Sequence, residues 1–308
     1  MSPTQATPQR PSRRRYAARR LGAILLVALL GYSFVRVVSG LAGGSDTVAD
    51  ANSGATSTSV ADATVIPPAT EASVEATVAT DPPGPPSAAD PARVLIVGDS
   101  DAGTFGPYLE QLLDGTQIVD TELDYKVSSG LARPDFFDWP TALESKLPEI
   151  DPDIVVVTFG GNDAQGLSVV GGDFIVGDPV ANEEEWTQEY QERASAVMET
   201  LLEGGRKVIW VGIPNDDNPE VTARMAVQDR AAKAAAEEHP DVVFIDTWLR
   251  FSGRDGGWAE FVIDPRDGEG KDVRAGDGFH LNTTGAEILA LDIAQAVRDA
   301  LRELGAAI

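Results

Sequence analysis

Four short apolar runs, each ending at glycine or an acidic residue, limit what this chain can fold into. They are Arg93–Val97 before Gly98, Asp153–Phe159 before Gly160, Lys207–Val211 before Gly212, and Val242–Ile245 before Asp246. Their interiors are rich in Val and Ile and show no apolar–polar alternation. That is the pattern of strands buried on both faces, and so of a parallel sheet. Helical patterns fall between and after them. Ala102–Leu113 follows the first run, and Glu183–Glu203 begins acidic and stops at Gly204-Gly205. Pro219–Glu238 is alanine-rich, and Thr284–Leu304 closes the chain as an amphipathic helix. Strands alternating with helices predict one three-layer α/β/α domain around a central parallel sheet, flavodoxin-like, over residues 92–308.

The first 91 residues read differently. Residues 1–20 form a basic tail, and all seven arginines of the first 45 residues stand where no acid occurs. Residues 21–42 are apolar apart from Arg36, long enough for a transmembrane helix. The basic residues before it place the N-terminus inside by the positive-inside rule. A cleaved signal peptide with small residues near Gly40 and Ala42 is the alternative, and it would give a secreted protein. Residues 43–91 are dominated by Ala, Thr, Ser, Val, Asp and Pro without a period, which predicts a disordered spacer. Both readings place the folded domain outside the cytoplasm.

Composition excludes several functions. The net charge is −25, and all 49 acidic residues lie beyond the basic N-terminal stretch, so nucleic acid is not an expected partner. No cysteine is present, which removes disulfides, thiolate nucleophiles and Cys-ligated metals. Two histidines, His239 and His280, leave little for a zinc site, and no acidic loop has the spacing of a known calcium loop.

In open parallel sheets, sites form beyond the carboxyl ends of strands. Gly98-Asp99-Ser100-Asp101 follows the first strand. A serine in a tight strand-to-helix turn exposes its hydroxyl beside backbone N–H groups at a helix N-terminus, as a nucleophile with part of an oxyanion hole requires. A helix-capping serine has the same appearance. Gly160-Gly161-Asn162-Asp163 follows the second run; the Asn162 amide can donate to a developing oxyanion, though all four are also turn formers. Asp277-Gly278-Phe279-His280 precedes the last helix, and an aspartate three residues before a histidine can accept from one ring nitrogen and leave the other for a serine. His239, in Glu-Glu-His-Pro at a helix end, reads as structural.

Together these three blocks resemble the SGNH, or GDSL-type, serine hydrolase superfamily, in a form similar to bacterial exported members. The resemblance covers about Ala92 to Ile308. It implies Ser100 as nucleophile, His280 as general base and then acid, and Asp277 as its orienting carboxylate. It also implies an oxyanion hole from the N–H groups of Ser100 and Gly130 and the Asn162 side chain, with no metal or organic cofactor. Ser129-Gly130 is the natural candidate for the family's glycine block. Asp101 departs from the leucine of the name-giving motif. It can bind a polar substrate group, raise the pKa of His280 or point to solvent. Phe136, Phe137 and Trp139 can line a substrate pocket or pack in the core. Residues 250–274 read as an irregular excursion, a hairpin or lid.

The expected activity is that of an extracytoplasmic esterase or O-acyltransferase acting on acyl, chiefly acetyl, esters of cell-envelope glycans or glycolipids. Its partners would be that ester substrate, with envelope polysaccharide as its carrier, and the membrane through the N-terminal helix. A lipase or thioesterase, or an inactive binding protein of the same fold, are the alternatives.

Overall fold

The structure, a computed structural model, describes residues 84–308. The expected basic tail, the apolar segment 21–42 and most of the spacer lie outside these residues. Among the described residues, no helix is long and apolar enough to cross a membrane. Ahead of the first strand, Ser87 and Asp90 exchange backbone hydrogen bonds of 2.9 and 3.1 Å in a tight turn.

Five parallel strands form the central sheet: β1 (Ala92–Gly98), β2 (Val119–Tyr125), β3 (Ile154–Thr158), β6 (Lys207–Val211) and β7 (Val242–Ile245), in the order β2-β1-β3-β6-β7. Two small antiparallel hairpins stand apart from it: β4 (Leu167–Ser168) with β5 (Phe174–Val176), and β8 (Phe261–Ile263) with β9 (Gly270–Asp272). The second falls inside the excursion expected over residues 250–274. The helices are α1 (Ser100–Asp114), α2 (Trp139–Ile150), α3 (Glu183–Leu202), α4 (Pro219–Glu238), the short α5 (Thr247–Arg250) and α6 (Thr283–Glu303).

The four strands read from the sequence are the central ones and β7. All of β3 is fully buried, and Val94–Val97 of β1 is at most 1% exposed. Successive side chains enter opposite layers, as the pleat requires. Val94, Ile96, Ile154, Val156 and Ile209 join the core under α1 and α6, beside Phe105, Leu109, Ile288 and Ile293. Leu95, Val97, Val155, Val157 and Trp210 join the opposite core, with Trp139, Trp186, Tyr190 and Met198 of α2 and α3. Strands covered on both faces have no reason to alternate.

Two elements do not follow from pattern alone. In β2, an edge strand of sequence VDTELDY, only Val119 is fully buried. Its acids face solvent, so it carries little hydrophobic signal. Helix α2 begins inside the segment expected to line a pocket. Trp139 is 1% exposed, packs against Phe137 and Phe159 with ring centroids at 4.9 and 5.1 Å, and donates its indole N–H to Ser129 Oγ at 2.8 Å. Of the two readings of Trp139, core packing is the one its burial fits: at the start of a helix facing the sheet, its indole is worth more buried than exposed.

Candidate active site

The site is assembled at the carboxyl ends of β1 and β3 and the turn before α6. Gly98 ends β1 with φ +152°, and a Cβ there would stand 2.2 Å from the Thr158 carbonyl oxygen of β3. Only glycine permits that approach. The chain then turns at Asp99, whose buried carboxylate accepts from the N–H groups of Asp101 at 2.9 Å, Gly160 at 3.2 Å and Gly161 at 3.0 Å. One carboxylate thus caps α1 and ties it to the loop after β3. Ser100 is the first residue of the helix.

Ser100 Oγ lies 2.9 Å from His280 Nε2, and His280 Nδ1 lies 2.7 Å from Asp277 Oδ2. With Nδ1 protonated and donating to Asp277, Nε2 is free to accept the serine hydroxyl proton. Asp277 Oδ1 also accepts from the backbone N–H groups of Phe279 and His280, each at 3.1 Å. These bonds fix the carboxylate. The imidazole partner holds the Asp277 pKa below the usual carboxylate value, and the Asp277 hydrogen bond raises that of His280 against the opposing effect of burial.

The other expected donors come to the same region. Gly130 follows β2 and is buried; Asn162 follows β3 and donates one amide hydrogen to the Ser129 carbonyl at 3.2 Å. That bond orients the amide and leaves its second N–H. Among the described residues, the backbone N–H groups of Ser100 and Gly130 have no acceptor. His239 is elsewhere, bonded through Nε2 to Ser195 Oγ at 2.5 Å on α3.

The remaining expected contact residues separate. Phe136 is 53% exposed, whereas Phe137 packs half-buried on the core that holds Trp139. Asp101 is 6% exposed, and its Oδ2 has no hydrogen-bond partner. It faces inward: a Cβ on Gly161 would be 3.0 Å from that oxygen and 3.0 Å from the Phe279 ring. Burial raises the Asp101 pKa to about 6, opposed by the nearby His280.

Three residues of the site have structural roles that the sequence did not assign to them. Arg274 is 6% exposed and donates to the carbonyls of Ala259, Asn215, Phe279 and Phe251 and to Asn215 Oδ1. Its guanidinium therefore pins the strand end after β6 and the turn carrying Asp277 and His280 to one point. Burial lowers its pKa to about 10. Asn215 lies fully buried opposite it, and Asp163, also buried, grips the turn at Gly130. Asp163 stands in the block that carries Asn162, and Arg274 stands before a glycine-rich turn, but each is indistinguishable from a solvated loop residue until the fold encloses it.

The family described as "Protein of unknown function (DUF459)" matches residues 93–296. The chain belongs to this family. The match spans the DUF459 region from β1 into α6, and so includes every residue of the site. Among curated proteins, none matches the chain. Similar solved structures include an acetyl xylan esterase from Geobacillus stearothermophilus, at 20% identity over 71% of this chain and 97% of that chain, with a TM-score of 0.43. The C-terminal catalytic domain of peptidoglycan O-acetyltransferase A from Streptococcus pneumoniae gives 16% identity, 68% and 95% coverage and a TM-score of 0.42. A GDSL-like lipase from Bacteroides thetaiotaomicron gives 15%, 68%, 88% and 0.43.

Proposed function

We propose that this DUF459 protein is an extracytoplasmic serine esterase or O-acyltransferase that cleaves or transfers acyl esters, chiefly acetyl, on cell-envelope glycans or glycolipids. The observation that carries the reading is the unbroken hydrogen-bonded line Ser100–His280–Asp277 beside two acceptor-free backbone N–H groups and an oriented amide. Ser100 Oγ attacks the ester carbonyl carbon as its proton passes to His280 Nε2. The carbonyl oxygen gains negative charge and is received by the N–H groups of Ser100 and Gly130 and by Asn162. The C–O bond to the alcohol breaks, and His280 returns the proton to the leaving oxygen. Water, or an acceptor hydroxyl, then gives its proton to His280 and attacks the acyl-serine carbonyl; the bond from that carbon to Ser100 Oγ breaks, and His280 returns the proton to the serine oxygen. Asp277 holds the imidazole in the required tautomer and offsets its charge when protonated.

The location rests on the apolar segment and basic tail of the sequence, and the glycan substrate on what a tethered enzyme meets first. A second reading, an esterase for esters with a larger apolar part, draws on the exposed Val127 and Phe136, which flank the Gly130 turn in sequence, and on the exposed Val170 and Phe174 of the β4–β5 hairpin.

The test is p-nitrophenyl acetate hydrolysis by the full chain and its Ser100→Ala variant. Nitrophenol release that depends on Ser100, followed by deacetylation of acetylated glycans, supports the proposal. Equal rates in the two proteins would remove it.

A further inference from the structure

Around Gly130, nearly every polar backbone group is tied down. Ser129 donates its N–H to the Lys126 carbonyl at 3.2 Å, and its carbonyl accepts from Asn162 at 3.2 Å. On the other side, the N–H groups of Leu131 and Ala132 both donate to one carboxylate, Asp163, at 2.9 Å each. The Leu131 carbonyl accepts from Arg193 at 2.8 Å, and the Ala132 carbonyl from the Ser168 N–H at 2.9 Å. The Gly130 N–H is the donor left over.

Asp163 itself is 1% exposed and immediately follows Asn162. Besides the two backbone donors, it accepts from the Tyr190 hydroxyl at 2.7 Å, and that hydroxyl accepts from Gln228 Nε2 at 3.1 Å. The carboxylate is thus anchored to α3 and α4. It sits so close to Gly130 that a Cβ there would fall 2.0 Å from Asp163 Oδ1. Burial raises the Asp163 pKa, and the hydrogen bonds it accepts oppose that shift.

We infer that Asp163 is a positioning residue that builds the oxyanion hole: its side chain holds the Gly130 turn, and its backbone presents Asn162. The inference rests on the serine hydrolase reading above. Two donors from separate loops must converge on one oxygen, and a misplacement of about 1 Å at such a point can cost on the order of 10²-fold in rate. A single rigid carboxylate that bonds one loop and belongs to the other fixes their separation. Asparagine cannot replace it, because an amide offers one acceptor oxygen and turns N–H donors toward donors.

The test compares the full-length protein with Asp163→Asn, using p-nitrophenyl acetate turnover and the rate at which a fluorophosphonate probe modifies Ser100, located by mass spectrometry. Both reactions place an oxyanion in the hole. The expected result for Asp163→Asn, assayed well below its thermal midpoint, is a loss of about 10- to 100-fold in kcat with KM changed less than about threefold. Phosphonylation should slow by a similar factor. Should Asp163→Asn fail to fold, Tyr190→Phe, which removes a hydrogen bond to the carboxylate without touching Gly130 or Asn162, must show a loss of the same kind, in kcat and phosphonylation and not in KM. A folded variant with unchanged kcat and phosphonylation, or a loss confined to KM, overturns the inference alone. Wild-type protein that is not phosphonylated at Ser100 overturns the hydrolase reading, and the inference with it.

Discussion

His280 Nε2 stands 2.9 Å from Ser100 Oγ across 180 residues of sequence. Two anchors produce this contact. Asp99 locks the first turn of α1 to the loop after β3, and Arg274 locks the turn before α6 to the segment after β6. If the pair acts as one unit, Ser100→Ala and His280→Ala should each lower kcat for an activated ester by about 10³-fold or more. The double variant should lose little beyond either single one. Additive losses in steady-state kinetics would show that the two side chains work separately.

The pH profile follows from the charges around His280. Its hydrogen bond to Asp277, and the negative charge of Asp101 and Asp99, raise its pKa from the usual 6.5, while burial opposes them. Arg274 and Asp216 also face this cluster. The base is active when neutral, so activity is lost as pH falls through the raised value, and the acid limb of kcat/KM should lie above 6.5. Asp101→Asn removes a charge that favours the imidazolium and should move that limb to lower pH. A limb that stays in place or moves upward would show that Asp101 does not act on His280.

Arg274 is a buried cation bonded to neutral oxygens. Replacing it with methionine keeps much of the volume but leaves several carbonyls without donors. Arg274→Met should cost about 3 kcal/mol or more of stability. Thermal unfolding should detect this as a midpoint lowered by at least roughly 6 °C. The same protein should lose activity even when folded, since the turn holding Asp277 and His280 loses its tether.

Gly98 and Gly270 offer a matched pair of alanine substitutions. At Gly98, φ is +152° and the added methyl meets the Thr158 carbonyl at 2.2 Å; at Gly270, on β9, nothing lies within 4 Å. Gly98→Ala should therefore destabilise the domain by about 3 kcal/mol or more through strain and a displaced strand end. Gly270→Ala should stay within about 0.5 kcal/mol. Denaturant titration of both proteins checks the contrast.

Four of the five sheet strands and four long helices were legible because the pattern that predicts them is the one burial imposes. A strand covered on both faces must be apolar throughout, as Ile154–Thr158 is. The missed strand β2 is covered on fewer sides and can be written in Asp, Thr and Glu. The site residues Ser100, Asn162, Asp277 and His280 were legible as residue types in an order, because Ser100 and Asn162 follow strand ends and Asp277 and His280 stand in the turn before the last helix.

What the sequence alone determined was therefore the α/β alternation, the short list of residues able to do acyl chemistry, and the absence of thiol chemistry. The tertiary structure decided the rest. It buried Trp139 and Asp101, left Phe136 exposed, and enclosed Arg274 and Asp163 as the fixed points of two loops. A linear pattern reports how much of a side chain is hidden on average along its own element. Whether a lone aspartate or arginine ends up in water or clamped among backbone groups depends on which distant segments fold over it, and only the packed structure brings those segments together.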